Sequence, residues 1–215
     1  MALSQEYRLG FLASGGGTNM QAVMDGCSSK EIPARVTAVV SNISTSGALV
    51  RAREYGAPGY HMSMRTHPDP EKLDRAITDV FLDYEVQLVV LAGYLRQVGP
   101  IMLDAFPNRI LNIHPALDLE RFGGDGMHGQ VVHQAVLDAG EAISGCTVHI
   151  ANHEYDRGPI VGQESVPVLP DDTAETLAAR VLVKKHQLLP RIVRDFAQYR
   201  VVTQSDHVSI IPEGQ

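Results

Sequence analysis

Continuous apolar runs alternate along this chain with stretches whose apolar positions recur every three or four residues. The run over 8–13 predicts a strand, and a glycine-rich turn then leads into a helical pattern over 19–27. The β-branched run 36–40 predicts a second strand, with a helix over 47–55 behind it. A short extended piece at 60–62 precedes a long amphipathic helix over 70–84. The apolar run 86–91 has the character of a central strand buried on both faces. Beyond it a helix near 100–105 leads to a strand that ends in Asn112-Ile113-His114. A polar, glycine-rich loop and a helix near 129–138 follow. Segments 146–150 and 160–168 have the pattern of two hairpin arms. The last helix spans about 173–199, with Asp172 or Thr173 to cap its start and Pro190 to kink or interrupt it.

Strand–helix alternation of this kind predicts an α/β fold: a Rossmann-like open, mostly parallel sheet with helices on both faces and antiparallel strands in the C-terminal half. No repeat or linker divides the chain. The expectation is one domain over 1–215, with a first half at about 8–105, a second at about 106–201 and a peripheral tail at 202–215. Ligands in such folds sit outside the C-terminal ends of the strands, so candidate chemistry is sought there.

Composition narrows the functions. A formal charge of −7 with no Lys/Arg run argues against nucleic acid. An anionic small substrate needs a local site instead, made of backbone N–H groups and one or two cations. No apolar stretch approaches the roughly 20 residues that cross a bilayer, and residues 1–8 lack a signal-peptide core. Cys27 and Cys146 are too far apart in sequence to suggest a clip, so a reducing cytoplasm is expected. Monomer and homodimer both remain open.

Two segments carry the chemistry. In Ser14-Gly15-Gly16-Gly17-Thr18-Asn19 the glycines let backbone N–H groups approach a ligand at a helix start. The segment lacks the endings of the nucleotide-binding loops, which favours a single phosphate, and Thr18 and Asn19 can add side-chain hydrogen bonds. In Ile110-Leu111-Asn112-Ile113-His114-Pro115, alternation places Asn112 and His114 on one face of a strand. An amide donor beside a titratable ring suits a carbonyl reaction that also moves a proton.

Downstream, Asp156 stands in the turn ahead of Arg157-Gly158-Pro159. It is either a plain turn residue or, if the loop folds back, a carboxylate that raises the pKa of His114. His128 pairs with His133, and His149 with His153, only loosely, and no metal is expected. His128 and His133 read as exposed, and His149 as packed or lining a site. The loop after the most apolar strand, Gly93-Tyr94-Leu95-Arg96-Gln97-Val98, mixes apolar and hydrogen-bonding groups that suit a flat heteroaromatic ligand.

Taken in order, Ser14–Asn19, Leu91–Arg96, Leu111–Pro115 and Thr147-Val148-His149 with Tyr155–Ile160 resemble the phosphoribosylglycinamide formyltransferases of purine synthesis. The likeness covers about 8–201. It implies transfer of a formyl group from 10-formyltetrahydrofolate, a co-substrate, to the amine of glycinamide ribonucleotide. It further implies phosphate binding at Gly17, Thr18 and Asn19, folate binding at Leu95, Arg96, Gln97 and Val98 and around 151–156, and catalysis by Asn112, His114 and Asp156. On this reading Asn112 and a protonated His114 hold the oxyanion, and Asp156 keeps the imidazole charged.

The chain departs from the family at three places. Ala116-Leu117-Asp118-Leu119-Glu120-Arg121 replaces the usual Ser-Leu-Leu-Pro, so the loop over the site is expected to differ or be mobile. Lys185 stands where an acid usually contacts the acceptor. Pro70 stands where a cation lies near the folate, leaving Lys72, Arg65 or Arg75 as replacements. These departures keep two alternatives open: a folate-dependent enzyme that uses another amino sugar or water, and a homologue that binds without turnover.

Overall fold

The computed structural model describes residues 6–204 and 207–212. Seven strands form one sheet in the order β3-β2-β1-β4-β5-β6-β7. Strands β1 (Tyr7–Ala13), β2 (Ala34–Ser41), β3 (Gly59–His61), β4 (Leu88–Leu91) and β5 (Ile110–His114) run parallel. Antiparallel β6 (Ile143–Ile150) and β7 (Ile160–Pro167) complete it. This is the expected fold class.

Apolar residues on both faces of the central strands explain why helices cover both. Leu9, Phe11 and Ala13 of β1 join a core with α1 (Thr18–Ser28), α6 (Gln130–Asp138) and α7 (Ala174–Ala197). Leu12 points the other way, into a core with Ile77 and Phe81 of α3 (Pro70–Asp83) and Met102 of α4 (Pro100–Ala105). Each large side chain buried as fully as Phe11 or Phe81 contributes about 1.5–3 kcal/mol. Helix α2 (Gly47–Tyr55) packs Ala48 and Ala52 into the first core.

Alternation continues on β5. Leu111 and Ile113 face the first core and Ile110 the second, so Asn112 and His114 lie on the second face. A short helix α5 (Leu119–Phe122) follows β5, its N-cap Asp118 accepting from the amides of Glu120 and Arg121.

Three expectations change. Helix α7 continues through Pro190, because Leu188, Leu189, Ile192 and Val193 on either side are buried in the first core and hold the axis where one backbone hydrogen bond is missing. Beyond Arg200, β8 (Val201–Gln204) and β9 (His207–Ile210) form an antiparallel pair, and Val201, Val208 and Ile210 pack on the first core. Residues 205–206 and 213–215 of the expected tail lie outside the described residues.

His133 is the third. It is only 4% exposed, because the helix starts one turn before it and rotates the ring inward. Burial pulls its pKa down to about 4, with the charges of Lys185 and His114 adding to the effect. An unfolded chain binds this proton below about pH 6.5 and the folded one does not. His133 therefore costs stability progressively from about pH 6.5 down to about 4, by up to about 3 kcal/mol. Urea unfolding of the wild type and His133→Phe at pH 7 and pH 4.5 checks this, and the variant should lose less stability on acidification.

Candidate active site

The glycine turn leaves β1 and enters α1 at Thr18, with Gly17 as the N-cap. Gly17 sits at φ 74°, and a Cβ there would meet the Ala48 Cα at 2.8 Å, so both conformation and space require glycine. Thr18 does not cap the helix: no side chain does. Among the described residues the amides of Thr18, Asn19 and Met20 have no hydrogen-bond partner. Asn19 is 7% exposed, and its Oδ1 is also unpartnered.

On the second face of β5, Asn112 Nδ2 donates to Asp156 Oδ1 at 2.9 Å. His114 Nδ1 lies 3.5 Å from Asp156 Oδ2. Asp156 is both a turn residue and a site residue. Its φ of 55° is the left-handed conformation that aspartate tolerates better than most, and it turns the 151–159 segment back over β5. Gly158 makes this fold-back feasible, since a Cβ there would lie 1.7 Å from the Ile150 carbonyl oxygen.

A fourth member is His149, expected as packed or lining a site but not among the three catalytic positions. His149 is opposite Asn112 in the β5–β6 register and 1% exposed. Its Nε2 is 3.1 Å from Asn112 Nδ2 and 3.3 Å from Asp156 Oδ1. Its Nδ1 faces the Ile150 carbonyl at 3.2 Å. The signal lay in the alternation of β6, where Val148 joins the core and its neighbours point to the other face.

The segment after β5 closes over these groups. The Phe122 carbonyl is 2.7 Å from His114 Nε2, which must carry the proton because a carbonyl only accepts. The Gly124 amide donates to Asp156 Oδ2 at 3.0 Å. The altered sequence is what holds it down: Arg157 Nη2 donates to the Glu120 carbonyl at 3.3 Å, Arg121 pairs with Glu141, and Phe122 is buried. The loop of uncertain form is a short capped helix.

Electrostatics corrects one expectation. Burial lowers the His114 pKa and outweighs the opposing pull of Asp156 and the Phe122 carbonyl; His149 and Lys185 reinforce it. The resting imidazole is therefore neutral rather than protonated. For Asp156, burial acts upward, but the His149 ring, the Gly124 amide and the neighbouring His114 ring hold it below the ordinary carboxylate range. Asp156 is ionised.

The loop at 95–98 lies apart from this cluster. Arg96, Gln97 and Val98 line a cavity of about 1110 Å³ walled by α3, the start of α4 and the ends of β2 and β3. Leu95 is exposed and outside that lining, but its amide donates to Ser14 Oγ at 2.8 Å, tying this loop to the glycine turn. Of the three replacement cations, Lys72 pairs with Asp69 and Arg75 with Glu71, whereas Arg65 lines the cavity. Lys185 is half-buried on α7, with no ion pair among the described residues, and burial pulls its pKa down to about 8.

Residues 7–193 match the family described as formyl transferase. The chain belongs to the formyl transferase family. Among formyl transferases it is 35% identical to the phosphoribosylglycinamide formyltransferase of Haemophilus influenzae, over 90% of this chain and 89% of that protein. The chloroplastic phosphoribosylglycinamide formyltransferase of Arabidopsis thaliana is 39% identical, over 97% of this chain and 71% of that protein. Glycinamide ribonucleotide transformylase 1 from Symbiobacterium toebii superposes with a TM-score of 0.92 at 41% identity, covering 99% of this chain and 98% of that one. Among the described residues, no helix is long and apolar enough to cross a membrane.

Proposed function

We propose that this formyl transferase is a phosphoribosylglycinamide formyltransferase of de novo purine synthesis, a single catalytic unit that moves the formyl group of 10-formyltetrahydrofolate to the amine of glycinamide ribonucleotide. The observation that carries the reading is the pairing of Asn112, His114 and Asp156 on one strand face, beside a glycine turn with unpartnered amides. Gly17, Thr18 and Asn19 hold the substrate phosphate. The folate lies along Leu95, Arg96, Gln97 and Val98 and extends into the large cavity, where Arg65 and Arg96 meet its carboxylates.

In the resting site Asn112 and His114 spend their donors internally, so the substrates must re-pair them. The Phe122 carbonyl gives up His114 Nε2, and His114 takes the tautomer that donates from Nδ1 to Asp156 Oδ2. The acceptor amine attacks the formyl carbon, a C–N bond forms, and the carbonyl oxygen takes the negative charge. Asn112 transfers its second N–H from His149 to that oxyanion. His114 Nε2 accepts the proton lost by the amine and passes it to the folate nitrogen as the old C–N bond breaks. Asp156 stabilises the imidazolium between these steps.

Mass spectrometry of the acceptor after incubation with 10-formyltetrahydrofolate tests the assignment, and one added formyl group on glycinamide ribonucleotide is the expected product. The charge of Lys185 favours a second reading, an acceptor with an anionic group at that place. Lys185→Glu separates the two. It should lower the KM for glycinamide ribonucleotide several-fold in saturation kinetics, and a rise instead favours the second reading.

A further inference from the structure

The phosphate reading leaves a charge unaccounted for. A chain of net charge −7 that binds a dianion needs a local cation, and the glycine turn itself carries none. Arg51, on α2, supplies one. Its Nε donates to the Gly16 carbonyl at 2.8 Å, and its Nη1 donates to Gln21 Oε1 at 3.0 Å. No carboxylate pairs with it among the described residues.

The geometry of these contacts has a consequence for the turn. The Gly15 carbonyl accepts from the Ala48 amide at 3.2 Å, so the carbonyls of Gly15 and Gly16 both point at α2. Among the described residues no peptide bond is cis, and in a planar trans peptide the N–H points opposite to the C=O. The amides of Gly16 and Gly17 therefore point away from α2. Among the described residues they have no partner, like those of Thr18, Asn19 and Met20 that follow. Successive amides of this kind, with Gly17 left-handed and α1 right-handed, form a concave anion cradle. The unpartnered, buried Asn19 side chain lies at the same helix start.

We propose that Arg51 is a positioning residue of the phosphate site: it pins the Gly16 carbonyl so that the Gly17 amide faces a phosphomonoester, and its charge offsets the dianion. This rests on the phosphate reading above. A side chain that merely ties α2 to the turn would affect both substrates alike. A residue serving the phosphate affects the acceptor alone.

The test uses the full-length enzyme with Arg51→Met, Arg51→Lys and Arg51→Gln, and inorganic phosphate as a second probe. For Arg51→Met the KM for glycinamide ribonucleotide and the inhibition constant of phosphate should both rise about 10-fold or more, the worth of a charge-assisted contact. The kcat and the KM for 10-formyltetrahydrofolate should stay within about 2-fold, since neither reports a contact to the phosphate. Arg51→Lys, which keeps the charge, should recover most of the loss. Should Arg51→Met fail to fold, Arg51→Gln is read in the same way. Unchanged phosphate inhibition in a folded variant, or an equal loss for both substrates, overturns the proposal. If the wild type turns out not to use glycinamide ribonucleotide, phosphate-induced stabilisation of wild type against variant against heat still decides the role of Arg51 while the acceptor assignment fails.

Discussion

Asp156→Asn is expected to lower kcat by at least about 100-fold in a protein that still folds. The carboxylate takes hydrogen bonds from Asn112 Nδ2 and the Gly124 amide, and it faces His114 Nδ1. An asparagine has one acceptor oxygen for three such neighbours, and its NH₂ must face one of them. Turned toward Nδ1, it donates where the carboxylate would accept, and that holds His114 in the tautomer with its proton on Nε2 and no lone pair there. The general base is then lost, as is the charge that stabilises the imidazolium. The wild-type contribution of Asp156 to stability is present above the ordinary aspartate pKa of about 3.9 and disappears as pH falls through its lowered folded value. Single-turnover kinetics at neutral pH, with urea unfolding at pH 7 and pH 3, reads both effects. Turnover close to wild type refutes the role of Asp156.

The second large effect is His114→Ala, again at least about 100-fold in turnover. The free-enzyme pH dependence gives a finer reading. Because His114 must be neutral to accept the amine proton, kcat/KM should fall on the acid side, with its midpoint below the ordinary imidazole value of about 6.5. The residual activity of His114→Ala should lack that limb. The substitution also removes the partner of the Phe122 carbonyl, so the 119–124 segment should exchange amide hydrogens faster than in the wild type. An unaltered acid limb in the variant contradicts the assignment.

The strands, the helices on both faces and the antiparallel end were legible because each element depends on local periodicity. β4 and β5 announce themselves by apolar runs, and α3 by its amphipathic stripe. The partners of Asn112 and His114 were less so. Asp156 reaches them only because a left-handed residue and Gly158 fold a turn back onto a strand 44 positions earlier than Asp156, which no spacing rule encodes. His149 required the register of β5 against β6, and its partnership appears only once the strands are paired. Arg51 was illegible for the same reason, lying 35 positions from the carbonyl it grips.

The charge state of His114 shows a different limit. The family resemblance implied a carboxylate beside the ring and so pointed to a raised pKa. Burial of the ring lowers it instead, although Asp156 and the Phe122 carbonyl both pull the other way. Burial is a property of everything packed around the ring, and it outweighs a single charge 3.5 Å away. Pro190 makes the same point for the backbone: burial on both sides carries α7 across a residue that ends many helices.

The most direct measurement follows tetrahydrofolate release from 10-formyltetrahydrofolate by the purified protein, with and without glycinamide ribonucleotide. Release that depends on the acceptor, and that Asp156→Asn abolishes, is the predicted result. Equal release in its absence would mean that water is the acceptor, and would contradict formyl transfer to glycinamide ribonucleotide.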